Sequence, residues 1–331
     1  MNYIGSKNKL SQLIISTIKD TVGNFDNKVF CELFAGTGII GSSLKTQVKK
    51  IISNDIEYYS YILNRNYIGN NKIIDYFDLF DFIESNKSNL NTHFIFNQYS
   101  ENGIAKRLYF SESNGRKIDQ IRSNIKMLYL NKDISDDVYY FCLASLLESA
   151  DKHANTASVY GAYLKSLKHT AKKDLVLQPA KFDESLCETE IYNQDSNQLI
   201  KSIEGDILYL DPPYNTRQYG ANYHLLNTIA KYDYFEPIGK TGLRNYTRSR
   251  FCQKNEAYLA FKELIENANF KYIFISYNNE GILSLNEIRE ICSLYGRYDF
   301  VEQEYQRFKA DNTRKYKDVK TVEYLHILEK S

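Results

Sequence analysis

The sequence predicts an α/β fold, a mostly parallel sheet interrupted by a long helical insert, and three observations predict it. The chain opens in the order strand, glycine turn, helix, strand, acid. Strand-like runs stop near residue 57 and return only near residue 190. A later apolar strand then ends in Asp211-Pro212-Pro213-Tyr214, a corner that uses two of the chain's four prolines.

Taken in order, KLSQLIISTIKD (9–20) carries apolar residues at helical spacing and predicts a short amphipathic helix. VFCELF (29–34) reads as a buried strand, residues 35–38 as a glycine turn, IIGSSLKTQ (39–47) as a helix start and KKIISND (49–55) as a second strand. That order is the one a nucleotide-binding half-sheet uses. From about residue 57 to 185 the pattern is helical, with helices predicted over 115–128 and 136–152. A connection that long does not belong inside a sheet, so it is expected to be an inserted lobe. Strands resume at EIYNQD (190–195), GDILYLD (205–211) and YIFISY (272–277). A helix near 286–294 and strands near 298–305 and 321–328 follow, the last two separated by a lysine-rich loop (309–320). Seven strands result. The expected division is 1–56 with 186–331 as the catalytic and cofactor-binding domain, and 57–185 as the insert.

Composition narrows the class. With 43% hydrophobic and 25% charged residues among 331, the chain is in the globular range. The longest nearly apolar run, FCLASLL (141–147), is far short of the roughly 18 residues of a membrane helix. The N-terminus has no apolar signal region and carries Lys7, Lys9 and Lys19, so a cytoplasmic protein is expected. The five cysteines form no C-x-x-C pair, which argues against a zinc site and a disulfide framework. The histidines show no metal spacing, and no metal is assigned. A net charge of +1 gives no global sign of a nucleic-acid partner, so local patches must carry that reading. KTGLRNYTRSRFCQK (240–254) is such a patch.

The chemistry concentrates at strand ends. Phe34, Ala35, Gly36 and Gly38 follow a strand and open a helix, so a ligand can approach the backbone there. The turn is shorter than G-x-G-x-x-G and lacks the Lys-Ser/Thr of a phosphate loop, which disfavours nicotinamide dinucleotides and ATP. Asp55 ends the second strand, where a carboxylate suits ribose hydroxyls, and Asp195 ends another, within reach of an adenine amino group. In a parallel sheet such ends share one edge.

Asp211 to Tyr214 supply the reactive corner. An exocyclic amino group on a nucleobase is a poor nucleophile, because its lone pair is delocalised into the ring. Methylating it requires acceptors for its N–H bonds that also steady the charge growing on nitrogen. Asp211 offers one acceptor and the Pro212 carbonyl the other, with Pro212 and Pro213 fixing the geometry. Tyr214 offers a flat face to a base that has left the helix. The methyl donor implied is S-adenosylmethionine. Methylation at cytosine carbon 5 needs an activated thiolate instead, and Cys252 has no such setting.

At this point the sequence resembles the adenine-N6 DNA methyltransferases of the Dam type. The opening Tyr3-Ile4-Gly5-Ser6-Lys7, the cofactor loop from Phe34 to Gly38, Asn54-Asp55 and Asp211-Pro212-Pro213-Tyr214 are similar to that family's motifs, in its order. LLESADKHANTASVYGAYLK (146–165) and NTRQYGANYHLLNTIAKYD (215–233) resemble the restriction–modification subgroup, including type IIS modification enzymes. The resemblance implies a Rossmann-like, seven-stranded S-adenosylmethionine-dependent fold, a target-recognition role for the insert, and Tyr3 and Lys7 lining the cofactor site with Lys7 near the methionine carboxylate. Guanine-N2 RNA enzymes use a similar corner but generally lack the Tyr-x-Gly-x-Lys opening and the long insert. An RNA or other amino-group methyltransferase is the alternative, and a fold-retaining DNA-binding module the non-catalytic one.

Double-stranded DNA is the expected partner, met by a monomer near the bacterial or phage nucleoid, with a cognate endonuclease as a separate protein. Arg217, Tyr219, Asn222, His224, Arg244, Arg248 and Arg250 are the candidate DNA contacts. For Tyr219 to His224 the competing reading is a helix whose core face is Tyr223, Leu225, Leu226 and Ile229.

Overall fold

The computed structural model describes residues 7, 10–87, 93–305 and 321–331; Tyr3 and the loop 309–320 lie outside them. The chain forms two compact units. One, the sheet unit, takes the described residues up to Ile56 together with Ser185–Gln218 and Thr247–Ser331. The other, the helical unit, takes Glu57–Glu184 and Tyr219–Tyr246. The sequence expectation placed all of 186–331 with the sheet, and Tyr219–Tyr246 departs from it.

The sheet unit holds seven strands: β1 (Val29–Glu32), β2 (Lys50–Asn54), β3 (Glu188–Tyr192), β4 (Glu204–Leu210), β5 (Asn269–Asn278), β6 (Gly296–Tyr305) and β7 (Thr321–Lys330). Their order is β3-β2-β1-β4-β5-β7-β6. The first five are parallel neighbours, and β7 is antiparallel to both β5 and β6. Central strands of a parallel sheet are covered on both faces, which is why β4 carries an unbroken apolar run, Ile207 to Leu210, all buried.

Helices α1 (Ser11–Val22), α2 (Ile39–Leu44), α8 (Ser196–Leu199), α11 (Ala257–Asn267) and α12 (Leu285–Ser293) belong to this unit. Ala260, Phe261 and Leu264 of α11 and Ile288 and Ile291 of α12 share one core with Cys31, Leu208 and Ile273 of the strands. A Ser284/Glu287 capping box starts α12. Because β1 to β5 run one way and β7 the other, the carboxyl ends of the first five and the beginning of β7 share an edge. On it Asn278, the last residue of β5, pairs with Glu323.

The helical unit contains α3 (Tyr58–Asn64), a π-helical turn (Arg65–Gly69), α4 (Phe77–Ser85), α5 (Phe94–Tyr99), α6 (Glu112–Leu130), α7 (Asp136–His153), α9 (Tyr219–Asn222) and α10 (His224–Lys231). The last two join it because Tyr223, Leu225, Leu226 and Ile229 are fully buried in a core with Tyr59, Tyr109, Leu143 and Leu147. Polar side chains close the helix ends inside that core. Arg122 donates to the carbonyls of Ile229 (3.1 Å) and Ala230 (2.9 Å) at the end of α10, while Asp119 accepts from the first N–H groups of α5, Ile95 and Phe96. No helix among the described residues is long and apolar enough to cross a membrane.

Candidate active site

The glycine turn after β1 has the backbone its sequence demands. Gly36 (φ 54°) and Gly38 (φ 73°) both lie in the left-handed region, which a side chain would strain. The turn is tied to the end of β2. Gly36 donates to Asp55 Oδ2 at 2.8 Å, and Ala35 donates to the Asn54 carbonyl at 3.0 Å.

Asn54, which sequence reasoning noted only as the neighbour of an acid, organises this edge. Almost fully buried, it donates through Nδ2 to the carbonyls of Leu33 and Gln194 and accepts from the Gln194 N–H. One side chain thereby spans the ends of β1, β2 and β3. Asn193 adds bonds to the carbonyls of Asp55 and Ile56. Asp195 is exposed at the start of α8, where Oδ1 accepts from the N–H groups of Asn197 and Gln198. Its carboxylate is therefore a helix cap.

Glu32 was also missed. It is the last residue of β1, 2% exposed, and accepts from Ser53 Oγ (3.1 Å) and the Gly41 N–H (3.2 Å). Burial pushes its carboxyl up to about 8, with the nearby carboxylates Asp55 and Asp211 adding to the rise and its two hydrogen bonds opposing it. The group thereby ties the end of β1 to α2 and to β2. An acid inside an apolar strand gave no periodic signal.

Asp211 sits one residue beyond β4. Its side chain is 17% exposed and pairs with Lys7, Oδ1 to Nζ 3.1 Å. Desolvation raises its carboxyl to about 6, against the opposing pull of Lys7 and with a further push from Glu323. Lys7 is buried and lies 3.7 Å from Glu323 Oε2 as well. Burial alone would lower the lysine, but Asp211 and Glu323 outweigh it and hold the ammonium charged, well above its ordinary range. Lys7, which the resemblance places near the methionine carboxylate, is shared by two carboxylates of the protein.

Pro212 is buried and Pro213 half-buried. The Tyr214 carbonyl accepts from the Ile282 N–H at 2.9 Å, and its ring meets Tyr277 edge-on at 6.2 Å, with Lys7 Nζ 5.6 Å from its centroid. Tyr277 is fixed in turn by the Leu283 N–H, which donates to its hydroxyl. On the cofactor-loop side, Phe34 packs edge-on against Phe251 at 5.0 Å. Gln218 and Ser249 join the chain after the corner to the segment that carries Phe251.

Residues 3–291 match the D12 class N6 adenine-specific DNA methyltransferase family. The chain belongs to this family. It is 54% identical to the type II methyltransferase M.NlaIII of Neisseria lactamica over the full length of both. It is 38% identical to M.CviAII of Paramecium bursaria Chlorella virus 1, covering 98% of this chain and 97% of that one. It is also 37% identical to M.FokI of Planomicrobium okeanokoites, of which it spans 53%.

Not every residue expected to meet DNA in this D12 family member is placed to do so. His224 is fully buried, Nε2 on the Tyr160 carbonyl, and burial lowers its proton affinity to about 4. Arg244 is 7% exposed, pairs with Asp233 (2.7 Å) and lies over the Phe235 ring. Both are structural within the helical unit, because the amphipathic face of α10 and the loop behind it turn inward. Arg250 pairs with Glu256 and Glu263, which neutralises it locally. Tyr219 stacks on Tyr223, and Asn222 accepts through its carbonyl from Tyr160 N–H. Arg217 and Arg248 are exposed. Of the five basic residues in 240–254, Arg244 and Arg250 are paired with acids, while Lys240, Arg248 and Lys254 are exposed.

Proposed function

We propose that this chain is the modification methyltransferase of a type II restriction–modification system, methylating N6 of an adenine flipped out of double-stranded DNA. The observation that carries the reading is the desolvated corner of Lys7, Asp211 and Tyr214 on the same sheet edge as the Gly36–Asp55 turn. Family membership and the naming of its relatives as type II methyltransferases support it.

The residues present fit S-adenosylmethionine. Positive-φ glycines let a ligand approach the backbone, Asp55 and Asp195 are acceptors for hydroxyl and amino groups, and Phe34 offers an apolar wall. When bound, that cofactor supplies a methyl group on a positively charged sulfur. The protein's part is to hold the amino group. Asp211 and the Pro212 carbonyl accept its two N–H bonds and turn its lone pair toward the methyl carbon. Asp211 would also take up the N–H proton that the amino group loses on methylation and pass it to water. Tyr214 stacks on the extruded base. The helical unit, including Tyr219–Tyr246, is assigned to target recognition.

The test is single-molecule sequencing of DNA from cells expressing the protein, against an Asp211→Ala control. N6-methyladenine in one short motif, absent from the control, is the expected result. Methylation at the native rate by the Asp211→Ala protein sinks the assignment, and methylation of RNA in place of DNA moves the substrate class.

A further inference from the structure

Glu323 belongs to none of the motifs above. It reaches the corner because β7 is antiparallel, so the beginning of that strand lies on the edge where β4 delivers Asp211. Lys7 Nζ is 3.1 Å from Asp211 Oδ1 and 3.7 Å from Glu323 Oε2, and the three side chains are 5%, 17% and 14% exposed. Glu323 Oε2 is buried with no hydrogen-bond donor among the described residues, where its contact with Lys7 is one of charge. Two carboxylates around one ammonium leave a net negative charge out of water. A purely structural pair needs one acid, and desolvating a second is costly.

We propose that Glu323 is a positioning residue for the methyl transfer, drawing Lys7 toward β7 so that the ammonium does not close fully on Asp211 and that carboxylate stays available to the target amino group. The inference rests on Asp211 being the acceptor. Asp211 is faced by Lys7 from the N-terminal segment, Glu323 from β7, Glu32 from β1, and Tyr209 and Tyr214 from its own strand and corner. Of the two acids beside Asp211, Glu323 alone also holds Lys7. With its charge removed, Lys7 serves Asp211 alone, and Asp211 becomes a weaker acceptor that protonates less readily.

The experiment is single-turnover methylation of unmethylated plasmid DNA between pH 5 and 8 by the wild type, Glu323→Gln, Glu323→Asp and Asp211→Ala proteins. Glu323→Gln is expected to move the acid limb of the rate profile down by about half a pH unit or more. Its plateau rate should fall about tenfold or more, with S-adenosylmethionine affinity by calorimetry within about twofold. Glu323→Asp should bring the limb back toward the wild type. A Glu323→Gln profile superposing on the wild type overturns the inference. So does a lowered rate with an unmoved limb and no rescue by Glu323→Asp, which is the signature of general damage. If Asp211→Ala retains activity, the reading of the corner itself falls; if Asp211→Ala is dead and Glu323→Gln unaffected, only the role of Glu323 falls.

Discussion

Gly36 donates its backbone N–H to Oδ2 of Asp55 over 2.8 Å, so the glycine turn and the acid at the end of the next strand are one piece of architecture. Asp55→Ala removes the proposed cofactor acceptor and leaves the Gly36 N–H without that partner. Loss of a charge-assisted hydrogen bond predicts S-adenosylmethionine binding weaker by about tenfold to a hundredfold. Asp55→Asn keeps an oxygen for Gly36 and should fall between. Titration calorimetry decides it, and wild-type affinity in Asp55→Ala removes Asp55 from the cofactor site.

Much of this edge was legible in the sequence, because apolar runs ending in glycine or acid have few other uses. The residues that escaped are those whose identity contradicts their surroundings. Glu32 is an acid embedded in a hydrophobic strand, and Asn54 looks like a strand-end polar residue until its three hydrogen bonds across neighbouring strands are seen. Glu323 required knowing that β7 runs antiparallel, which no local pattern states. His224 and Arg244, read from the sequence as candidate ligands for DNA, are buried and engaged within the protein. Their types suit that role, but the helix and loop that carry them turn inward, which depends on contacts distant in sequence such as that of His224 with Tyr160.

Glu32 makes a prediction about pH. Its unfolded value is near 4.5 and its folded value about 8, so the folded state keeps a proton that the unfolded state releases. Its contribution to stability is fully present below pH 4.5 and is lost as pH rises toward 8. Glu32→Gln keeps an acceptor for Ser53 and Gly41 without a titrating group. The variant should show a flatter dependence of Tm on pH between 5 and 8 than the wild type, in calorimetry without cofactor. An unchanged slope would mean that Glu32 stays ionised.

The arginines separate by burial. Arg217 and Arg248 are exposed, so their alanine variants should leave Tm unchanged, weaken DNA binding, and each reduce the slope of log K against log salt by about 0.9 if it meets one phosphate. Arg244→Ala uncovers the Phe235 ring and removes the bonds to the Asn227 carbonyl and to the half-exposed Asp233, and should instead lower stability by about 1–2 kcal/mol. Fluorescence anisotropy over a salt series and thermal melts together test both halves. A stable Arg244→Ala protein with a reduced salt slope would restore that residue to the DNA interface.

The seat of Tyr214 rests on a glycine remote in sequence. A Cβ at Gly281 would overlap the ring of Tyr277, which is 2% exposed and cannot swing away. Displacing that ring disturbs its edge-on contact with Tyr214 and the Leu283 bond to its hydroxyl, while the Gly36–Asp55 turn is untouched. Gly281→Ala is therefore expected to lower kcat by about a hundredfold, the scale of a misplacement near 1 Å at a reacting group. Cofactor affinity should be retained. Tyr214→Phe, which keeps the ring, should stay within about threefold of the wild type, since stacking on a base needs the π-face and not the hydroxyl. If Gly281→Ala instead weakened cofactor binding and spared kcat, Tyr277 would belong to the cofactor's support and the stacking role of Tyr214 would lose its structural basis.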